Sequence, residues 1–208
     1  MTKGPRYNVP YRRRREGKTD YQERKALVLS KSPRLVTRTS LKHTLAQIVK
    51  AEVAGDKTIA SAHSRELMKM YGWKGGCGNV PVAYLTGFLC GYRTIAKNVK
   101  EVVLDIGLHC PSKGARVFAV LKGVIDAGVK VPHSEEKLPD KTRIEGQHIV
   151  HYAKQLSLNP EEHEHRFSSF VNKELPLENL SEHFSYVKKK IVTSFEKSKR
   201  VKKKNHGG

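Results

Sequence analysis

Apolar positions along this chain fall into three regimes, and each predicts a different kind of structure. Up to about residue 32 they show neither a helical nor a strand period, apart from Ala26, Leu27 and Leu29, which follow acidic residues suited to a first helical turn. The pattern predicts an extended arm leading into a short helix over residues 20–30. Pro33 closes that helix, and β-prone runs follow over residues 34–40, 42–52 and 57–64. In the second run Thr44, Ala46 and Ile48 alternate with Leu45, Gln47 and Val49, and Gly55-Asp56 marks the turn to the third. These are the signs of an antiparallel meander.

Helical spacing takes over next. Asn79 is suited to cap a helix with Pro81 among its first residues, and Ala83, Gly87 and Gly91 recur every fourth position, a small-residue stripe for close packing against the sheet or another helix. Residues 101–108 read as a strand, and a further helix starts near Pro111 and Ser112 and ends at Gly128 in a left-handed cap. Three strands, helix, strand, helix is an α/β order. It predicts a mixed, mainly antiparallel sheet with helices packed on one face. The stretch KVPHSEEKLPDKT breaks the regularity, so the compact core is expected to end near Pro132. Helices are expected over 143–156, 160–173 and 177–197, the last carrying Leu180, Phe184, Val187, Ile191 and Phe195 at helical spacing. The expected division is a basic arm and short helix (1–32), an α/β core (33–132) and a helical C-terminal extension with a basic tail (133–208).

Charge changes this picture by showing where the chain meets a partner. The net charge of +20 is uneven: residues 1–42 carry 13 basic and 3 acidic side chains, residues 184–208 carry 9 and 1, and the rest is nearly neutral. Two cationic ends repel each other and attract a polyanion, either nucleic acid or an anionic membrane surface. No run of 18 apolar residues and no signal-peptide core occurs, which points to a soluble, intracellular protein. The arm VPYRRRREGKTDYQERK favours RNA, since guanidinium groups bind phosphates bidentately and stack on bases, and Tyr7, Tyr11 and Tyr21 add aromatic faces. No helix-turn-helix, zinc finger or basic zipper is readable.

Catalytic and metal chemistry find little support. Cys77, Cys90 and Cys110 form no CxxC pair and are odd in number, against a disulfide scaffold and a zinc ribbon. His163 and His165, two apart on an expected helix, do not share a face for one metal, although His148 and His151 lie nearby. Asp105 at a strand end invites a catalytic reading, but no second carboxylate is placed to match it. The glycine-rich GGCGNVP segment, with Lys74 beside it, reads either as a turn and helix cap or as a nest for an RNA phosphate; it lacks the GK[ST] of a nucleotide loop. An RNA-processing enzyme and a membrane-associated basic protein remain the competing classes.

Three long stretches carry a family resemblance: YNVPYRRRREGKTDYQERKALVLSKSPRLVTRTSLKH, TIASAHSRELMKMYGWKGGCGNVPVAYLTG and DIGLHCPSKGARVFAVLKGVIDAGVKVPHSE. They strongly resemble the large-subunit ribosomal protein family that binds 5S rRNA, in its archaeal and eukaryotic long form, related to the protein numbered eighteen in bacteria. The match runs from about residue 7 to 135 and resumes in IEGQHIVHYAKQL. The resemblance implies an α/β core and no catalysis or cofactor. It implies a cytoplasmic place in the central protuberance of the large subunit, joining 5S rRNA to the large-subunit rRNA beside the other 5S rRNA-binding protein. It puts RNA contacts first at Arg12, Arg13, Arg14, Arg15, Lys18, Tyr21 and Arg24, then at Arg34, Arg38, Ser40, Lys42 and His43, and then at Lys74 and Asn79. Arg34 and Arg38 share a strand face about 13 Å apart, a spacing suited to successive phosphates. The tail SFEKSKRVKKKNHGG is expected to touch rRNA or a neighbouring protein and to be disordered in the free chain.

Overall fold

The computed structural model describes residues 4–157, 159–171 and 175–204. Strands β1 (Arg34–Thr39), β2 (Thr44–Glu52) and β3 (Gly55–His63) form the antiparallel meander, and β4 (Val103–Asp105) adds parallel to β1, giving the order β3-β2-β1-β4. The mixed sheet is thus as the alternation predicts. Expected strand 101–108 shrinks to three residues because only Val103, Leu104 and Asp105 find partners along β1, while Glu101 makes a lone bridge to Lys130. Leu35, Ala46, Ile48, Ala60 and Ala62 fill one face, and Arg34, Val36 and Arg38 point to the other.

The inner face is covered by α4 (Val80–Ala96) and α5 (Arg116–Asp126). The small-residue stripe of α4 packs against α5 rather than against the sheet. A Cβ on Gly87 would strike the Val120 carbonyl, and one on Gly123 would strike that of Tyr84, so the two backbones touch where larger residues would hold them apart. α5 begins at Arg116 rather than near Pro111, because residues 106–115 stay in turns. A helix with no counterpart in the sequence reading, α3 (Ser64–Tyr71), follows β3 directly. Its signal is a reciprocal cap: His63 Nδ1 accepts the Arg65 N–H at 3.0 Å, and the Glu66 carboxylate accepts the His63 N–H at 2.8 Å.

Helices α6 (Lys141–Ile144), α7 (Gln147–Leu156), α8 (Pro160–Val171) and α9 (Leu180–Lys204) complete the described chain. The single helix expected over 143–156 is interrupted at Gly146, where φ is 85° and helical continuation is lost. The C-terminal helices do not stand apart: Ile144, Phe170, Leu180, Phe184, Val187 and Ile191 join one buried cluster with Trp73, Tyr84 and Phe88. Lys188 of α9 donates to the Tyr84 hydroxyl at 2.8 Å, which donates in turn to Asp126 at 2.7 Å, so a polar chain ties α9 to α4 and α5. Burial, reinforced by Asp126, pushes the Tyr84 phenol pKa up. The tail expected to be disordered is helical as far as Lys204, in keeping with its helix-forming lysines; residues 205–208 lie outside the described residues.

At the other end, the four arginines form a single turn, α1 (Arg12–Arg15), and α2 (Tyr21–Leu29) follows; neither contains a buried residue. Asp20 caps α2 by accepting the Gln22 and Glu23 amides, which explains why the helix starts there.

Candidate nucleic-acid interface

Since α4 and α5 occupy the inner face of the sheet, the outer face is left to the arm. Its anchor is a chain of ions. Arg34 donates to Asp105 at 2.9 Å and to Asp56 at 2.8 Å, and Arg24 of α2 donates to both oxygens of Asp56 at 3.0 Å. Burial alone would raise the Asp56 pKa, but the hydrogen bonds from Arg24 and Arg34 outweigh it and hold the carboxyl below its ordinary value. Arg38 completes the set with bonds to the Asp105 carboxylate and carbonyl, both at 3.2 Å. Asp105 therefore serves as a counter-ion to two arginines, and its second carboxylate, Asp56, comes from the far edge of the sheet and neutralises Arg34.

An open cleft of about 460 Å³ lies between arm and sheet, lined among others by Arg13, Lys18, Tyr21, Arg24, Arg38 and Gly107. Five expected RNA contacts are thus brought to one place. Arg13 is oriented by Thr19 at 2.9 Å, Lys18 by Glu16 at 2.9 Å, and the Tyr21 ring leans on Tyr11 with centroids 4.9 Å apart. Arg12 reaches back to Glu16 at 3.6 Å across one exposed turn, and Arg14 and Arg15 are exposed beside it. Exposed pairs of this kind release their arginines to a phosphate at little cost.

One expected contact must be corrected, and a second is shared with the fold. Arg34 is 1% exposed and holds two carboxylates, so it offers nothing to a phosphate; strand periodicity gave its face but not the arm and carboxylates that cover it. Asn79 is the N-cap of α4, accepting the Val82 amide at 3.1 Å, and its oxygen serves the helix. Lys74 is exposed, but its amide donates to His183 Nε2 of α9 at 3.1 Å, and the Trp73 and His183 rings sit 5.1 Å apart. A Cβ on Gly75 would meet Phe170, and one on Gly78 would strike the Leu41 carbonyl. The glycine segment is accordingly a packing junction between α9 and the β1–β2 turn, rather than an open nest of amides.

At that turn Ser40 bonds both backbone groups of His43, and Lys42 projects exposed between them. Arg116, which the sequence reading passed over, clamps the turn to the glycine segment by donating to the Ser40 and Gly78 carbonyls at 2.7 and 3.0 Å. Metal and thiol chemistry gain nothing from the fold. Among the described residues no group of three His, Cys, Asp or Glu is placed to hold a metal, and the His163 ring lies outside them. Burial pushes the Cys90 thiol up to about 12 and makes it unreactive. No described helix is long and apolar enough to cross a membrane.

An exposed cationic arm clamped over the helix-free face of an α/β body is a surface for a polyanion. The comparisons supply the family. Residues 5–101 and 96–134 match the family described as ribosomal large subunit proteins 60S L5 and 50S L18. The large ribosomal subunit protein uL18 of Caldivirga maquilingensis is 50% identical over 199 residues, which are 95% of this chain and 96% of that relative. The chain belongs to this family of large-subunit ribosomal proteins. Its setting is the translation machinery, among rRNA and other ribosomal proteins, and the family is one of ribosomal components rather than enzymes.

Proposed function

We propose that the protein binds 5S rRNA with its arm and outer sheet face and fastens that RNA to the large-subunit rRNA in the central protuberance, without catalysing a reaction. The observation that carries this reading is the cleft where Arg13, Lys18, Tyr21, Arg24 and Arg38 converge on the one sheet face that carries no core helix. Arg12, Arg14, Arg15 and Lys42 extend the positive surface along the arm and the β1–β2 turn, and Ser40 and His43 shape that turn. Lys74 lies apart, beside α9, on a side suited to large-subunit rRNA or a protein neighbour such as the other 5S rRNA-binding protein. The proposed location is the cytoplasmic large subunit.

A salt titration of binding to 5S rRNA and to an unrelated stem-loop tests the proposal. Both should show steep salt dependence, with 5S rRNA preferred at moderate salt. Replacing Arg12, Arg13, Arg14 and Arg15 by Ala should weaken binding and flatten the logarithmic slope by about 0.7–0.9 per lost phosphate contact. Equal affinity for the two RNAs at every salt concentration would refute 5S specificity.

A further inference from the structure

Two histidines on the outer face have their inner nitrogens committed to the fold. Arg38, Leu45 and His63 lie in register across β1, β2 and β3, and His43, two residues before Leu45, belongs to the same face. The rings of His43 and His63 are 5.0 Å apart. His63 Nδ1 accepts the Arg65 amide at 3.0 Å, so it carries no proton, and in the neutral ring the hydrogen sits on Nε2.

For His43 the tautomer follows from its neighbour. Its Nδ1 lies 3.1 Å from Ser64 Oγ, which accepts the Thr44 amide at 3.1 Å. Ser64 is fully buried, and donating to His43 Nδ1 satisfies its hydroxyl proton; the reverse arrangement would leave that proton without an acceptor among the described residues. His43 is therefore also an Nε2–H imidazole. Burial, followed by the charges of His63, Arg65 and Lys42, holds its pKa below the ordinary value and keeps it neutral at pH 7. The Glu66 carboxylate in the same cap is held by Arg93 and by the His63 amide.

Each ring thus has its inner nitrogen held by α3 or its cap and a donor on the opposite nitrogen. Exposed Lys42 and Arg65 flank the pair, so the local field favours an anion. We propose that His43 and His63 form a two-donor site for an RNA phosphate, with both Nε2–H groups donating to its oxygens and Lys42 and Arg65 supplying the charge. This rests on reading the outer face as the RNA surface, and adds to it the edge strand β3 and the start of α3. A purely structural role would need only the inner nitrogens.

Side-chain replacement separates the two roles. In the full-length double variant His43→Asn/His63→Asn, each amide oxygen stands near the lost Nδ1 and keeps the inner bond, while the outer donor disappears. His43→Gln/His63→Gln does the reverse. The Asn pair should bind 5S rRNA about tenfold more weakly at moderate salt with an unchanged Tm. The Gln pair should retain more affinity and lose Tm. In the wild-type chain, long-range proton–nitrogen NMR should show both rings as Nε2–H tautomers whose Nε2 signals move on adding RNA. Wild-type affinity in a folded Asn pair overturns the proposal, as does an Nδ1–H tautomer at His63. If the Asn pair is destabilised, the wild-type NMR shifts decide the matter. An equal loss on the unrelated stem-loop supports the phosphate site, whereas equal wild-type affinity for both RNAs would count against 5S specificity alone.

Discussion

The two cationic ends of this chain are alike in net charge and opposite in construction. α9 exposes Lys189 and Lys190 on a helix whose other side, Leu180, Phe184, Val187 and Ile191, lies inside the core. The arm buries no residue of α1 or α2 and is held at Arg24 by a pair of exposed ions. Charge in α9 is thus fixed in place by apolar contacts that salt does not screen. In the arm it is held by contacts that salt, or a competing phosphate, can replace.

Shortening the apolar seam of α9 is the strongest way to break that contrast. Phe184→Ala should cost about 3–5 kcal/mol in denaturant unfolding, because Phe184 packs against Tyr84 within the shared core. A loss below about 1 kcal/mol would mean that α9 is as loosely attached as the arm. Next comes the body side of the latch: Arg34→Met leaves Asp105 short of its buried partner and should cost about 3–5 kcal/mol in the same measurement. Arg24→Ala, on the arm side of Asp56, should cost less than about 1 kcal/mol, and this loss should shrink as salt rises.

A pH series sharpens the comparison from the α9 side. Burial, and then Lys74, hold the His183 pKa below its ordinary value, and its neutral Nε2 is what accepts the Lys74 amide. Around pH 6 the unfolded chain therefore binds more protons than the folded one. Stability from this contact is fully present above about pH 6.5 and declines as pH falls through the unfolded value toward the lower folded one. His43 and His148 shift in the same direction, so the quantity to measure is the difference in unfolding midpoint between wild type and His183→Gln from pH 8 to 5. That difference should narrow as the pH drops, while Arg24→Ala should leave it unchanged.

Periodicity read the meander, the α4–β4–α5 order and the apolar face of α9 directly, because burial of one face imposes a repeat on local sequence. It missed α3, whose start depends on a histidine acting as a cap, a residue type outside the usual capping set. It also misjudged Arg34. An alternating strand face tells which side a residue lies on, but its burial depends on Asp56 and Asp105, which lie 22 and 71 residues away. The glycine segment kept two readings open for a related reason, and the turn and cap is the one found: glycines that admit a phosphate and glycines that admit Phe170 or a carbonyl look the same in sequence. The arm was legible through its charge, its interleaved tyrosines and the short helical pattern behind them, and its site residues were named by resemblance.

The distance between Arg34 and Asp105 also matters while the protein is being made. Synthesis at about 5–20 residues per second separates the two by roughly 4–14 seconds, given their 71-residue spacing. During that interval the nascent segment holds its full complement of arginines without the β4 carboxylate that later neutralises part of it. Completion of β4 then supplies the carboxylate and withdraws Arg34 from solvent while leaving the arm outside.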